Sequence, residues 1–203
     1  MSRNGIRARS FALTTLVLVA LLAMPATAHA MTRADIVKRA GVWTKAKVPY
    51  SQSRYATEAG VLVTATPAAV AATQGYRTDC SGFVSMCLGL KTRSGAPLSL
   101  DTGTLPGRLV KTTKSDLALG DVILRPKTLK IGGKLVPYGH AVVFGGWTDS
   151  TKSAYWGLHE SSSAKGAVRV KITWGRSGFY SEKGFAPYRY PRVDERPRIE
   201  PKF

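Results

Sequence analysis

Three residues of this sequence have side chains suited to nucleophilic chemistry: Cys80, His140 and His159. Cys80 lies in the stretch DCSGFVSMCLGL, whose apolar residues recur at helical spacing. With Thr78 or Asp79 as the N-cap, Cys80 falls in the first turn of the predicted helix, where unpaired N–H groups favour a thiolate. After residue 30 the chain has two histidines and no asparagine, so the general base must be His140 or His159.

The orientation of that base depends on how two predicted strands pair. If Trp147 pairs with Lys152 across the intervening turn, His140 faces His159 with Cβ atoms about 5 Å apart. A shift of two residues in this register would make the contact diagonal. One imidazole would then orient the other. Other groups able to orient the base are a carboxylate, a backbone carbonyl, Gln52 and Gln74.

The two cysteines, Cys80 and Cys87, are too far apart for a disulfide if the segment is helical. Seven residues of helix rise by about 10 Å, whereas a disulfide needs Cα atoms within about 7 Å. We therefore expect free thiols, with Cys87 packed in the core as a small hydrophobe. A zinc site made of Cys80, His140 and His159 matches no common ligand spacing, so we predict neither a metal nor another cofactor.

The elements that must position these residues follow from the hydrophobic pattern. Ile36 and Trp43 share a helical face and Thr32 with Asp35 fits a capping box, so a helix is predicted over residues 32–45. Pro67 is suited to open a short second helix, and Gly89 to end the helix of Cys80. Residues 91–107 are predicted to be a loop.

The second half of the chain is rich in β-branched and aromatic residues, which indicates strands. The predicted strands are Gly120–Leu124, His140–Trp147, Ser153–Glu160 and Ala167–Trp174, with a short one near Phe185–Tyr190. Helices followed by an antiparallel meander predict an α+β fold.

The first thirty residues have the pattern of a secretory signal peptide. Arg3, Arg7 and Arg9 precede an apolar run that is short for a membrane span, and small residues lead up to a cleavage site after Ala30. We predict one domain over residues 31–190 and a polar, Pro-rich tail over 191–203. The expected location is outside the cell or in the cell wall, without stable membrane insertion after cleavage.

The exported chain is strongly basic. It retains 27 Lys and Arg residues against 12 Asp and Glu residues, a net charge of +15. Such a charge favours anionic surfaces, and outside a bacterial-type cell these include wall polymers. Export and the scattered placement of the basic residues argue against nucleic acid as a partner. We expect a monomer.

The motifs DCSGFV, DLALGDVIL, GHAVVFGGW and GLHESS, in this order, resemble the NlpC-type cell-wall cysteine peptidases. The resemblance covers roughly residues 32–190, and it implies a compact papain-like fold with N-terminal helices packed on an antiparallel sheet. It also implies Cys80 as the nucleophile, with its backbone N–H in the oxyanion hole, His140 as the base and His159 as the orienting residue. Substrate-binding residues implied by the same motifs are Tyr50, Asp79 and Ser81.

The resemblance implies hydrolysis of amide bonds in peptidoglycan stem peptides. An N-acetylmuramoyl-L-alanine amidase or a thiol acyltransferase on the same site is an alternative, as is a non-catalytic, cationic wall-binding protein. The chain departs from the family pattern after Tyr50, where SQS replaces the usual Trp-Gly-Gly. An insertion over residues 56–75 is expected to reshape one wall of the cleft.

Overall fold

The computed structural model describes residues 31–65, 68–127, 130–131, 133–135, 139–175 and 184–194. The predicted signal peptide, Pro67 and the end of the predicted tail lie outside these residues. Within the described ranges the chain contains three α-helices, α1 (Arg33–Ala46), α2 (Ala68–Gln74) and α3 (Cys80–Cys87), and one short 3₁₀ turn (Leu105–Arg108). No helix in these ranges is long and apolar enough to cross a membrane.

The capping box predicted for the first helix is present. Thr32 Oγ1 accepts from the backbone N–H of Asp35, and the Asp35 carboxylate accepts from the backbone N–H of Thr32 at 2.9 Å. The helix ends where Lys47 adopts a left-handed conformation, two residues before Pro49. Its buried face, which includes Ile36 and Trp43, is the predicted one.

Six strands form one antiparallel sheet in the order β3-β10-β4-β7-β8-β9. Their bounds are β3 (Val110–Lys111), β4 (Val122–Arg125), β7 (His140–Trp147), β8 (Ala154–Ser161), β9 (Gly166–Thr173) and β10 (Ala186–Arg189). Two small ribbons complete the described strands: β1 (Tyr55–Ala56) with β2 (Tyr76–Arg77), and β5 (Lys130–Ile131) with β6 (Lys134–Leu135). The α+β class is confirmed, and each of the five predicted strands is present to within two residues.

The sheet has a helix-covered face and an outer face, and each has its own apolar cluster. On the covered face, α1 and α3 pack with residues such as Ala141, Val143 and Leu158. On the outer face, Val142 and Tyr155 belong to a smaller, aromatic-rich cluster. Because side chains alternate along a strand, His140 and His159 belong to the outer face, whereas Glu160 points towards the helices.

The predicted register of β7 with β8 is wrong by three residues at the turn and by two residues nearer the histidines. Trp147 pairs with Tyr155 rather than Lys152, and Val143 pairs with Leu158 rather than Trp156. The turn is longer than the predicted four residues, and an irregularity interrupts the pairing between Phe144 and Trp147. Near the histidines, the shift of two keeps the side chains on their predicted face, so the histidines remain neighbours on a diagonal.

The insertion over residues 56–75 packs beside the C-terminal end of α1. The indole Nε1 of Trp43 donates to the carbonyl of Thr57 at 2.9 Å. A Cβ on Gly60 would meet the Cβ of Ala46 at 2.9 Å, so this turn lies directly on the helix. The described part of the insertion therefore does not form a wall of the cleft, contrary to expectation.

Candidate functional site

The start of α3 is held by the residues that flank Cys80. Asp79 is the N-cap, and its Oδ1 accepts from the backbone N–H of Gly82 at 2.7 Å. Its other oxygen, Oδ2, accepts from Arg77 Nε at 2.6 Å. Ser81 Oγ donates to Asp79 Oδ1 at 3.2 Å. The Asp79 carboxylate therefore holds the side chains of Arg77 and Ser81 at the helix start. Asp79 and Ser81 therefore fix the helix start that carries the thiol, whether or not they also contact a substrate.

Gly82 is required at the third position of α3 by a close approach of the backbone. A Cβ on Gly82 would lie 1.9 Å from the carbonyl oxygen of Arg77, a distance at which the backbone would have to move. Gly139, just before His140, is similarly crowded, because a Cβ there would lie 2.1 Å from Thr102 Oγ1. Close packing therefore requires glycine at both positions, which lie near Cys80 and His140 in the sequence.

The thiol of Cys80 lies where β7 and β8 separate. The pairing of these strands ends at Val143 with Leu158, while β8 continues to pair with β9 as far as Ser161. Beyond the last pair, the backbone N–H of Ala141 is near enough to the sulfur of Cys80 to lower the pKa of the thiol. Cys80 is 8% exposed, and it reaches solvent through a cleft.

The prediction that the helix start lowers the pKa of Cys80 is wrong for this structure. Burial raises the pKa of the thiol to about 12, and the negative charge of Asp79 adds to the increase. The backbone N–H groups of Ala141 and Ser81, and the guanidinium of Arg77, oppose this increase without cancelling it. The side chain is therefore a neutral thiol, which would have to lose its proton to a base before it could act as a nucleophile.

His140 and His159 form a buried, hydrogen-bonded pair. Nε2 of His140 lies 3.1 Å from Nδ1 of His159, and the two rings are nearly perpendicular, at 87°. The side chains are 5% and 3% exposed. Of the orienting groups that the sequence left open, the other histidine is in contact, whereas Gln52 and Gln74 are exposed. His140 opens β7 and lines the cleft, whereas His159 lies behind it.

Both histidines are neutral at physiological pH. Burial lowers the pKa of His140 well below its usual value, and the neighbouring His159 and Arg125 lower it further. Burial also lowers the pKa of His159 to about 4, although a backbone contact with Glu160 acts in the opposite direction. A neutral His140 can accept a proton, and it lines the same cleft as the neutral thiol of Cys80.

A cleft of about 950 Å³ brings the predicted residues together. Its lining contains Cys80, His140, Tyr50, Asp79 and Ser81, whereas His159 stands behind His140. Burial raises the pKa of Tyr50, and negative charge at Cys80 and Asp79 adds to the effect, so the phenol stays protonated beside the thiol. All six predicted site residues therefore belong to the cleft or directly support it.

Several cleft residues were not predicted from the sequence. Lys127 and Asp101 form an ion pair at the rim, and Arg77 lies deeper, bound to Asp79 and to the carbonyl of Leu100. Ser162 and Ser163 follow β8 into the same cleft. Only Arg77 had a usable signal, since it stands three residues before Cys80. The other residues lie in loops, and the sheet determines whether these loops reach the cleft.

No group of three or more His, Cys, Asp or Glu residues in the described part of the chain is arranged to hold a metal ion. The chain matches no known family model and no curated protein. The resemblance to NlpC-type peptidases therefore rests on the motifs themselves.

Proposed function

We propose that this protein is an exported cysteine peptidase that cleaves amide bonds in peptidoglycan stem peptides, on a compact papain-like fold. Cys80 is the nucleophile, His140 the general base and acid, and His159 the residue that orients His140. The observation that carries the proposal is the convergence of these side chains, separated by 60 and 19 residues along the chain, on one cleft.

The first half of the reaction follows from the neutral state of the pair. As the Cys80 sulfur attacks the amide carbonyl, its proton passes to His140, and a carbon–sulfur bond forms. His140 uses Nε2 in the contact with His159, so Nδ1 is the nitrogen that receives the proton. His159 fixes this tautomer by accepting the Nε2–H of His140 at its own Nδ1.

Negative charge then develops on the carbonyl oxygen and needs hydrogen-bond donors. The first intrahelical bond of α3 is donated by Phe83 to the carbonyl of Asp79, so the N–H of Cys80 precedes the helical ladder. This N–H, at the positive end of α3, is placed to hold the oxyanion, and the protonated Tyr50 hydroxyl is a second donor at the cleft.

The second half regenerates the site. The tetrahedral intermediate collapses, the carbon–nitrogen bond breaks, and the imidazolium of His140 gives its proton to the departing amine. Water, deprotonated by His140, attacks the thioester and releases the acid, while the sulfur recovers its proton. No group outside the chain and water is consumed in this sequence.

The substrate class is supported by charge and by the lining of the cleft. The exported chain carries a net charge of +15, which favours approach to an anionic wall. Both a cation, Lys127, and an anion, Asp101, stand at the rim of the cleft. Stem peptides carry free carboxylates and amines, so a rim with both charges suits them.

The test is digestion of purified peptidoglycan by the wild-type protein and by a Cys80→Ala variant under reducing conditions, with the released fragments identified by mass spectrometry. The Cys87→Ala variant is the matched control, because Cys87 ends the same helix but is fully buried in the core. We expect fragments from the wild type and from Cys87→Ala, and none from Cys80→Ala.

The fragment masses identify the bond that is cleaved. They distinguish a peptidase from an amidase that frees muramic acid. Release that persists in Cys80→Ala, or no release by the wild type from several wall types, contradicts the proposal. In the second case a non-catalytic wall-binding protein becomes the better interpretation.

A further inference from the structure

Glu160 is a fully buried acid that the reaction above does not use. It follows His159 on β8, its side chain is 0% exposed, and neither carboxyl oxygen has a hydrogen-bond partner among the described residues. An ionised carboxylate in such surroundings is strongly disfavoured, because nothing replaces the water it has lost. Glu160 therefore holds its proton in the folded protein at neutral pH.

The position of Glu160 ties it to the nucleophile. Its side chain points to the helix-covered face of the sheet. Its strand partner, Ala167, donates to the carbonyl of Val48, and Ser51, three residues after Val48, donates to the carbonyl of Thr78, so this edge of the sheet is tied to the residue before the N-cap of α3.

Glu160 lies two residues beyond Leu158 on β8, and Ala141, whose N–H lowers the pKa of Cys80, lies two residues before Val143 on β7, so both stand where the two strands separate. The negative charge of Asp79, the N-cap of α3, is close enough to disfavour ionisation of Glu160. Burial and this charge raise the pKa of Glu160 to about 8.

We propose that Glu160 is a positioning residue that sets the alkaline limit of Cys80 chemistry. While protonated, it leaves the start of α3 with one carboxylate, that of Asp79, which Arg77 neutralises. Once ionised, it places a second carboxylate near the helix start, where the thiolate and the oxyanion must form. A second negative charge opposes both of these anions, so the nucleophile weakens as the pH rises through the titration of Glu160. This inference rests on the proposed role of Cys80 as the nucleophile.

Other charges near Glu160 do not remove this effect. Across the sheet, its partner on β9 is Ala167, and the next basic residue on that strand, Arg169, stacks on Trp156 at 3.9 Å. The ionisable groups that the structure describes at this end of the sheet include Arg77, Asp79 and Cys80 at the start of α3, Arg125 and His140 on the paired strands β4 and β7, His159 on β8, Tyr50 in the cleft and the exposed Lys165 before β9. The two histidines are on the opposite face of the sheet and are neutral in the range where Glu160 titrates.

The test measures the rate at which iodoacetamide alkylates Cys80 between pH 6 and 9.5, in the wild type and in Glu160→Gln. Alkylation reads the thiolate without any substrate, and the Cys80→Ala variant corrects for Cys87. We expect equal rates at pH 6 and a rate about three- to tenfold higher in Glu160→Gln at pH 9, the effect of a shift of about half to one unit in the pKa of the thiol.

Two further variants keep the test decisive. Glu160→Met fills a similar volume with an apolar side chain and should reproduce the Gln result, including the case in which Glu160→Gln does not fold. Glu58→Gln removes a half-exposed carboxylate near the C-terminal end of α3, paired with Lys91, and should match the wild type at every pH. A ratio of rates to wild type that does not change with pH, in both Glu160 variants, overturns the inference.

The outcome is separable from that of the proposed function. If the wild type releases no wall fragments but the alkylation ratio rises with pH, the function fails and the coupling of Glu160 to Cys80 stands. If fragments are released in a Cys80-dependent manner but the ratio is flat, the function stands and the role of Glu160 is wrong.

Discussion

Asp121 and Glu160 are both buried carboxyl groups, 1% and 0% exposed, yet the protein treats them in opposite ways. Asp121 accepts from Arg33 at 2.7 Å, from Arg189 at 3.0 Å and from the backbone N–H of Ala118 at 2.9 Å. Glu160 has no such partner among the described residues. The two lie on either side of β7 in the sheet, one before β4 and the other in β8.

The difference separates a structural region from the proposed reactive region, the cleft of Cys80. At Asp121, two arginines distant in the chain satisfy the charge, so α1, β4 and β10 are joined by a network that has no chemistry to perform. At the cleft, three buried ionisable side chains, His140, His159 and Glu160, are held neutral by burial instead. Neutral groups with displaced pKa values are the ones that can exchange protons, and they mark functional sites more often than saturated pairs do.

The largest expected effect at the reactive region comes from His140. The His140→Gln variant keeps a polar side chain of similar size but removes the base, so we expect hydrolysis to slow by about 10²–10⁴-fold. The melting temperature should change by less than about 5 °C, because the contacts of the core are retained. Release of wall fragments and thermal unfolding measure the two quantities. Activity within about threefold of the wild type would contradict the role of His140.

The largest expected effect on folding comes from the structural region. Asp121→Asn removes the charge that two arginines share, and we expect the free energy of unfolding to fall by about 3–5 kcal/mol in urea titrations. The exposed pair of Glu58 and Lys91 is the control, since Glu58→Gln should cost at most about 1 kcal/mol. An equal loss of unfolding free energy in the two variants would mean that the buried network at Asp121 stabilises the fold no more than an exposed ion pair does.

The smallest expected effect is a gain in stability at Glu160, and it depends on pH. An unfolded glutamate ionises near pH 4.3, whereas folded Glu160 retains its proton to about pH 8. Between these values the unfolded state gains stability, so the wild type becomes less stable as the pH rises through this window. Glu160→Gln lacks this loss. It should match the wild type near pH 4 and exceed it by more than about 1.4 kcal/mol above pH 8.

Urea unfolding of both proteins at pH 4.5, 6.5 and 8.5 measures the difference. A gain that is the same at all three pH values would show that Glu160 is ionised throughout or is merely poorly packed. Together with the result for Asp121→Asn, the experiment tests whether removal of the acid destabilises the protein at Asp121 and stabilises it at Glu160.

The sequence predicted the local elements of the site well, because their signals are local. The capping box of Thr32 and Asp35 specified the start of α1, and Asp79 as N-cap placed Cys80 at the start of α3. The bounds of β7 agree with the prediction at both ends. The unpaired state of both cysteines followed from helix geometry alone.

The pairing of the histidines was predicted for a reason that was only partly correct. The register near the histidines was wrong by two residues, because the turn after Trp147 is longer than the sequence suggested. The contact survives because the strand repeat is two, so the error left both rings on the same face. A shift of one residue would have placed Leu158 or Glu160 there instead.

The sequence by itself determined which residue types are available and which elements carry them: one helix-start cysteine, two histidines on strands and a basic chain. Tertiary structure decided their ionisation, since the pKa of Cys80 rises with burial although its helix position favours the opposite. It also decided which buried acid has partners, because Arg33 and Arg189 reach Asp121 across 88 and 68 residues of chain. Hydrogen-bonding caps act over one helical turn, whereas desolvation and charge depend on every element that packs around a group.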